Sequence, residues 1–253
     1  MRKSSVAPAA DESATPAPAY TLLDRCASIN AVLSVVAGPQ LRDAYLEVEA
    51  ISRGGYGRER YQVPVGPRGE FVDPVLLKLL EEADDWAAYL GLAARERSAA
   101  GRPVRLGALL VSTTLPLGED DDHRPSFPEE AIGRTIERLS TSVLPPSAIV
   151  VGGARTQGAG IVVVGLFALT RMVDVRSDAA SNDALDLMRR LAAAVGADSL
   201  APDVTHADLM CPLPGTAVRE LPPHHRYVVD CLVSDRRYAI EDIQAALLKE
   251  RSK

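Results

Sequence analysis

The stretch VRLGALLVSTTL, at residues 104–115, is largely apolar and includes several β-branched residues. Its apolar side chains occupy both alternating sets of positions, which is typical of a strand buried on both faces at the centre of a sheet. We therefore expect a central strand here. Two further apolar segments, SAIVV at residues 147–151 and IVVVGLFAL at residues 161–169, predict buried strands joined by a glycine-rich link.

Helices and shorter strands surround this centre. Apolar residues at steps of three and four predict helices at residues 22–36, from Pro128 onward, at residues 178–195 and at residues 240–248. Strands are predicted at residues 45–51, 61–65, 209–213 and 227–233, and the first two form a hairpin. Strands and helices interleave without a regular parallel βα repeat. This order predicts an α+β domain with a mixed β-sheet flanked by helices.

Composition narrows the class of protein. The chain has 253 residues and a formal net charge of −6, which argues against a general nucleic-acid coat. No apolar run approaches the roughly 18 residues of a membrane span, so no membrane association is expected. Residues 1–19 are rich in Ala, Pro and Ser and predict a disordered leader before one domain at residues 20–253. Three cysteines without a CxxC spacing indicate reduced thiols in a cytoplasmic protein.

Two polar clusters are candidates for binding. Arginines and tyrosines crowd the predicted hairpin, and this combination suits the phosphates and bases of single-stranded nucleic acid, although surface arginines on a hairpin are common. The run EDDDH at residues 119–123 offers carboxylates to a divalent cation, with Asp120 and Asp122 on one side if the segment is extended. A solvated acidic loop explains the same run.

The order of several short stretches is similar to that of the archaeo-eukaryotic primase family, in its bacterial, plasmid and phage primase-polymerase form. Family motifs of the types VYFGVAPR, LWVDLD, PSAVVxSGGGxHxYWxL, GAD and RLPGTxNxK occur in that order. The corresponding stretches here are YLGLAAR (89–95), ALLVSTTL (108–115), PSAIVVGG (146–153) with GLFAL (165–169), GAD (196–198) and LPGT (213–216). The resemblance implies an α+β fold whose mixed sheet is of the primase-polymerase (RRM-like) type.

The resemblance also decides one ambiguous segment. Periodicity alone would extend the helix that starts at Asp73 to about Arg97. The matching motif instead implies that this helix ends near Asp85 and that a strand follows at residues 87–94.

In the family, the carboxylates of the DxD strand hold Mg²⁺ or Mn²⁺ for nucleotide transfer, and the Ser and His of SGGGxH contact the nucleotide phosphates. The resemblance places Ser112 and Thr114 at the two aspartates and Val151 at the serine, and no histidine occurs between Arg124 and Thr205. Neutral hydroxyl groups do not replace anionic ligands of a hard dication. The motifs therefore predict a catalytically degenerate member that needs no cofactor.

Three functions follow from this comparison. The first is a non-catalytic domain in the replication of a plasmid, phage or integrated element, which binds single-stranded DNA or an active primase or helicase. Its expected contacts to nucleic acid or nucleotide are Arg58, Arg60, Arg95 and Arg155. The second is an active DNA primase or polymerase with Mg²⁺ or Mn²⁺ on relocated ligands, Asp120 and Asp122 with Asp203 or Asp208. The third is a structural interaction module whose cleft is closed by Val151, Val162 and Val164.

Overall fold

A computed structural model describes residues 21–36, 45–52, 57–64, 78, 86–95, 103–119, 125–155, 160–200, 204–205, 208–218 and 230–250. The predicted leader at residues 1–19 lies outside these residues. So does the helix predicted to begin at Asp73, apart from Lys78, which is helical.

Nine of the strands within the described residues form the main sheet, in which β1 has β2 on one side and β3 and β4 on the other. From β4 the sheet continues through β5, β9 and β8 to β11, while β10 pairs with β3, and the pairs between these strands are antiparallel. The strands of this sheet are β1 (Tyr45–Ser52), β2 (Arg58–Pro64), β3 (Trp86–Gly91), β4 (Ala93–Arg95), β5 (Pro103–Leu115), β8 (Ala148–Gly153), β9 (Ile161–Asp174), β10 (Met210–Pro212) and β11 (Asp230–Val233). The pair β3 and β4 confirms the strand that the resemblance implied at residues 87–94.

The predicted central strand is confirmed as β5, which pairs with β9 from Leu115 opposite Ile161 to Arg105 opposite Asp174. A register shift between Leu106 and Ala108 interrupts this ladder. β9 runs five residues beyond the predicted end at Leu169, because its last residues pair with the start of β5. Two further strands of two residues each, β6 (Gly118–Glu119) and β7 (Pro125–Ser126), pair with each other.

The predicted helices are confirmed as α1 (Leu22–Val36), α2 (Glu129–Ser140), α3 (Asp178–Val195) and α4 (Ile240–Glu250). Local signals delimit α3 at both ends. The Ser177 hydroxyl accepts a hydrogen bond from the backbone N–H of Ala180, and Gly196 adopts φ 69° at the carboxyl end. A side-chain acceptor at the first turn and a left-handed glycine after the last are the usual helix caps.

One apolar cluster joins all four helices to the sheet, with Ile29, Leu109, Phe167 and Leu191 among its members. This arrangement confirms the α+β class. The three cysteines are free, with Cys211 buried and the other two half-buried. Within the described residues, none of the helices combines the length and apolar character needed to cross a bilayer.

Candidate functional site

A cleft of about 240 Å³ opens on one face of the sheet beside β5 and β9. Side chains of a strand alternate between its two faces, so Leu110, Ser112 and Thr114 of β5 point to the same side. All three line the cleft, together with Val162 and Val164 of β9. The structure therefore brings both predicted degenerate motif positions on β5 into one cleft with an apolar floor.

Val151, which the resemblance places at the motif serine, lies elsewhere. It pairs with Val163, whereas the cleft residue Val162 pairs with Gly152. Directly opposed residues share a face, so Val151 shares the face opposite to the cleft with Thr113, whose hydroxyl is 3.2 Å from Nη2 of Arg138 on α2. The expectation that Val151 helps to close the cleft is corrected accordingly, because strand register places only Val162 and Val164 there.

Asp198, just after α3, holds the end of β5 that carries the two hydroxyl residues. Its backbone N–H donates to the carbonyl oxygen of Ser112 at 2.8 Å. Its carboxylate Oδ2 accepts from the backbone N–H of Thr114 at 2.7 Å. The motif GAD had marked this residue as part of the resemblance, but its contact with β5 could not be predicted from that motif.

A fully buried carboxylate beside the cleft binds three of the four predicted arginines. The side chain of Glu49 on β1 is 0% exposed and accepts hydrogen bonds from the Nε–H groups of Arg58 at 2.5 Å, Arg60 at 3.0 Å and Arg155 at 2.5 Å. We call these four residues the Glu49 cluster.

The fourth arginine binds a neighbouring carboxylate. Arg95 lies 2.8 Å from Glu47 Oε2, and Arg60 Nη1 lies 3.5 Å from Glu47 Oε1. Sequence reasoning missed both glutamates, since apolar and acidic residues that alternate along a strand are typical of one exposed, charged face. In the structure β1 is buried on both faces between Tyr45 and Ser52. The missed signal was the pair of arginines two residues apart on the hairpin partner of an acidic strand.

The charge state of Glu49 follows from its surroundings. Burial alone would raise the pKa of this carboxyl group, but hydrogen bonds from Arg58, Arg155 and Arg60 outweigh burial and lower the pKa to about 2. The same interaction with Glu49 raises the pKa of Arg58. The Glu49 cluster is therefore fully ionised at neutral pH, with one negative and three positive charges.

Arg155 is positioned by the base of the glycine-rich link between β8 and β9. The hydroxyl of the buried Tyr89 donates to the carbonyl oxygen of Ala154 at 3.0 Å, and the N–H of Ala154 donates to the carbonyl oxygen of Gly160 at 2.9 Å. These bonds secure both ends of the link, whose residues 156–159 lie outside the described residues. Arg155 also lines the cleft.

The described residues around the cleft do not fit a divalent-cation site. The carboxylate of Asp208 accepts from the hydroxyl and N–H of Thr205, bonds that lower its pKa, and lies 4.0 Å from Arg155. The carboxylate of Glu49 is bound by three guanidinium groups. The carboxylate of Asp198 is bound by the backbone N–H of Thr114. The described residues contain no cluster of three metal-ligating side chains. Asp120, Asp122 and Asp203 lie outside the described residues.

Two solved structures match this chain at low identity. The crystal structure of primase RepB′ has a TM-score of 0.44 with 13% identity, over 87% of this chain and 62% of that one. The catalytic domain of primase RepB′ in complex with initiator DNA has a TM-score of 0.46 with 14% identity, over 88% and 94%. This chain thus spans less than two thirds of the first structure. No family model matches the chain, and no curated protein does. Because both TM-scores lie below 0.5, the function proposed for this chain rests on its own residues.

Proposed function

We propose that the chain is a primase-polymerase-like domain that binds single-stranded nucleic acid without transferring nucleotides, in the replication of a plasmid, phage or integrated element. The family and the replication context come from the ordered motif stretches. The observation that carries the absence of catalysis is the chemistry of the cleft, where Ser112 and Thr114 present neutral hydroxyl groups at the two positions that the resemblance assigns to metal-binding aspartates.

The binding role is supported by charge and exposure beside the same cleft. The side chains of Arg58 and Arg60 are 54% and 52% exposed, although both contact Glu49. Among the described residues, the four predicted arginines contact three carboxylates, those of Glu47, Glu49 and Asp208, so these seven side chains together carry one net positive charge. A local positive surface on a chain with a net charge of −6 favours a short contact with phosphates over a general coat.

The catalytic part is tested with the full chain, a single-stranded DNA template, nucleotides, and Mg²⁺ or Mn²⁺. We expect neither primers nor extended products. Synthesis that disappears in the Asp120→Ala/Asp122→Ala variant would instead establish an active enzyme with relocated metal ligands.

The binding part is tested by fluorescence anisotropy of a labelled single-stranded oligonucleotide at low and moderate salt. We expect binding that weakens as salt rises, because released counterions accompany each phosphate contact. Absence of binding even at low salt would refute nucleic-acid binding and favour a protein-binding module with an apolar cleft floor.

A further inference from the structure

We propose that Glu49 is a positioning residue that presents the terminal nitrogens of Arg58 and Arg60 to two neighbouring phosphates of a single strand. This inference rests on the proposed function and names the part of the ligand that the hairpin contacts. It is distinct from simple neutralisation, in which Glu49 would only cancel positive charge and so weaken binding.

In the Glu49 cluster, Arg58 and Arg60 bind the carboxylate through one edge of the guanidinium group, the Nε–H group, and leave the Nη edge for other contacts. Arg58 and Arg60 both donate through Nε–H to Oε1 of Glu49. Among the described residues, the Arg58 Nη groups make no hydrogen bond, and an Nη group of Arg60 reaches only the 3.5 Å ion pair with Glu47. A guanidinium group held at Nε keeps its terminal N–H donors in a fixed orientation, and those donors bind phosphate oxygens well.

The spacing of the two arginines suits neighbouring phosphates. Arg58 and Arg60 are two residues apart on β2 and stand on the face that β1 shares with Glu49, which lies directly opposite Arg60. Two residues of a strand cover about 6.7 Å of backbone, but both Nε atoms bond the same oxygen of Glu49, at 2.5 and 3.0 Å, and so lie at most 5.5 Å apart. The terminal nitrogens of the two side chains are therefore close enough to contact neighbouring phosphates of one strand. The third arginine, Arg155, is 26% exposed and completes the set of donors around the carboxylate without presenting an equally exposed head.

Preorganisation of the two guanidinium groups supports positioning as well. Lost side-chain entropy is part of the cost of binding through a long, flexible arginine. Because Glu49 is fully buried on a central part of the sheet, it orders both guanidinium groups before a ligand arrives. Preordered donors should bind more tightly than mobile ones of equal charge.

The test compares two variants that remove the same charge from the same hairpin. Glu49→Gln removes the negative charge of the clamp and replaces one of its two acceptor oxygens with an NH2 group, whereas Glu59→Gln removes an exposed carboxylate that lies between Arg58 and Arg60 in sequence. Charge alone predicts that both variants bind a twelve-nucleotide oligothymidine more tightly than the unaltered chain. Positioning predicts that Glu59→Gln binds equally or more tightly and that Glu49→Gln binds on the order of tenfold more weakly.

The salt dependence supplies a second readout that a purely structural role would not move. Two phosphates contacted on a single strand correspond to a slope of about −1.4 in log K against log salt concentration. We expect this slope for the unaltered chain and a shallower one for Glu49→Gln, measured under conditions where circular dichroism shows both chains folded.

A further variant covers the case in which Glu49→Gln does not fold. The double change Arg58→Lys/Arg60→Lys keeps the charge and leaves Glu49 in place, but a lysine that binds Glu49 has no second, fixed set of donors. We expect a similar loss of affinity, with Arg134→Lys on the exposed face of α2 as the unaffected control. Unchanged affinity in the double variant, or tighter binding by Glu49→Gln, would overturn the positioning role alone. No binding by the unaltered chain would overturn both this inference and the proposed function.

Discussion

The substitution Glu49→Gln is also expected to lower the stability of the folded chain and to alter its response to acid. It keeps the size of the side chain and removes the negative charge that three guanidinium groups share. Removing one partner of a buried ion pair leaves the others uncompensated, which is costly when they cannot reach water. Here Arg155 is 26% exposed, while Arg58 and Arg60 are about half exposed and can turn to solvent.

The magnitude follows from the pKa of Glu49, which the cluster lowers from 4.5 to about 2. Each tenfold change in an ionisation constant corresponds to about 1.4 kcal/mol, so the shift corresponds to about 3 kcal/mol of stability at neutral pH. Solvent screening at the two exposed guanidinium groups reduces this value. We therefore expect Glu49→Gln to lower the free energy of unfolding by about 1–3 kcal/mol at pH 7.

The direction of the pH effect follows from the same shift. A carboxyl group with a lowered folded-state pKa stabilises the fold above its unfolded pKa, near 4.5, and loses this contribution as the pH falls towards about 2. Glu49→Gln lacks this contribution at every pH. The stability difference between the two chains should therefore shrink between about pH 5 and pH 2.

Urea denaturation followed by the fluorescence of Trp86, the single tryptophan, measures these differences at a series of pH values. Glu130→Gln is the matched control, because Glu130 is 85% exposed and pairs with Arg134 within one turn of α2. The control should stay within about 0.5 kcal/mol of the unaltered chain. Equal stability of Glu49→Gln and the unaltered chain at pH 7, with the same acid dependence, would refute the role assigned to Glu49.

Three further predictions concern backbone positions and a helix cap. Gly133→Ala should stabilise the chain by about 0.5–1 kcal/mol, since the added methyl group on α2 meets open space. Gly196→Ala should instead destabilise it by about 1 kcal/mol, because φ is 69° at this position. Thermal melting temperatures that shift in the same direction for both variants would contradict this contrast. Gly215→Ala should cost about 2–4 kcal/mol in chemical denaturation, because φ is 80° and the new carbon would lie 2.7 Å from Cβ of Arg25; a loss below about 1 kcal/mol would mean that the turn adapts. Ser177→Ala should cost about 1 kcal/mol and increase hydrogen exchange in the first turn of α3, an effect absent if the hydroxyl is not the cap.

The positions of the helices and of the central strand could be predicted from the sequence because their signals are local. The apolar period of α1 and the caps of α3 lie within each segment, and the predicted bounds of both helices agree with the structure. Residues 104–115 likewise carry enough apolar surface to demand burial on both faces. The single domain at residues 20–253 stays a prediction.

Contacts between distant segments were decided only when the chain folded. Glu49 and Arg155 are 106 residues apart, and Thr114 and Asp198 are 84 apart, so no local pattern marks either pair. The face on which Val151 lies depends on strand register, since a shift of one residue moves every side chain of a strand to the other face. The sequence alone therefore determined which residue types are available for binding. Strand pairing decided that the acids of β1 are buried and hold the arginines in place.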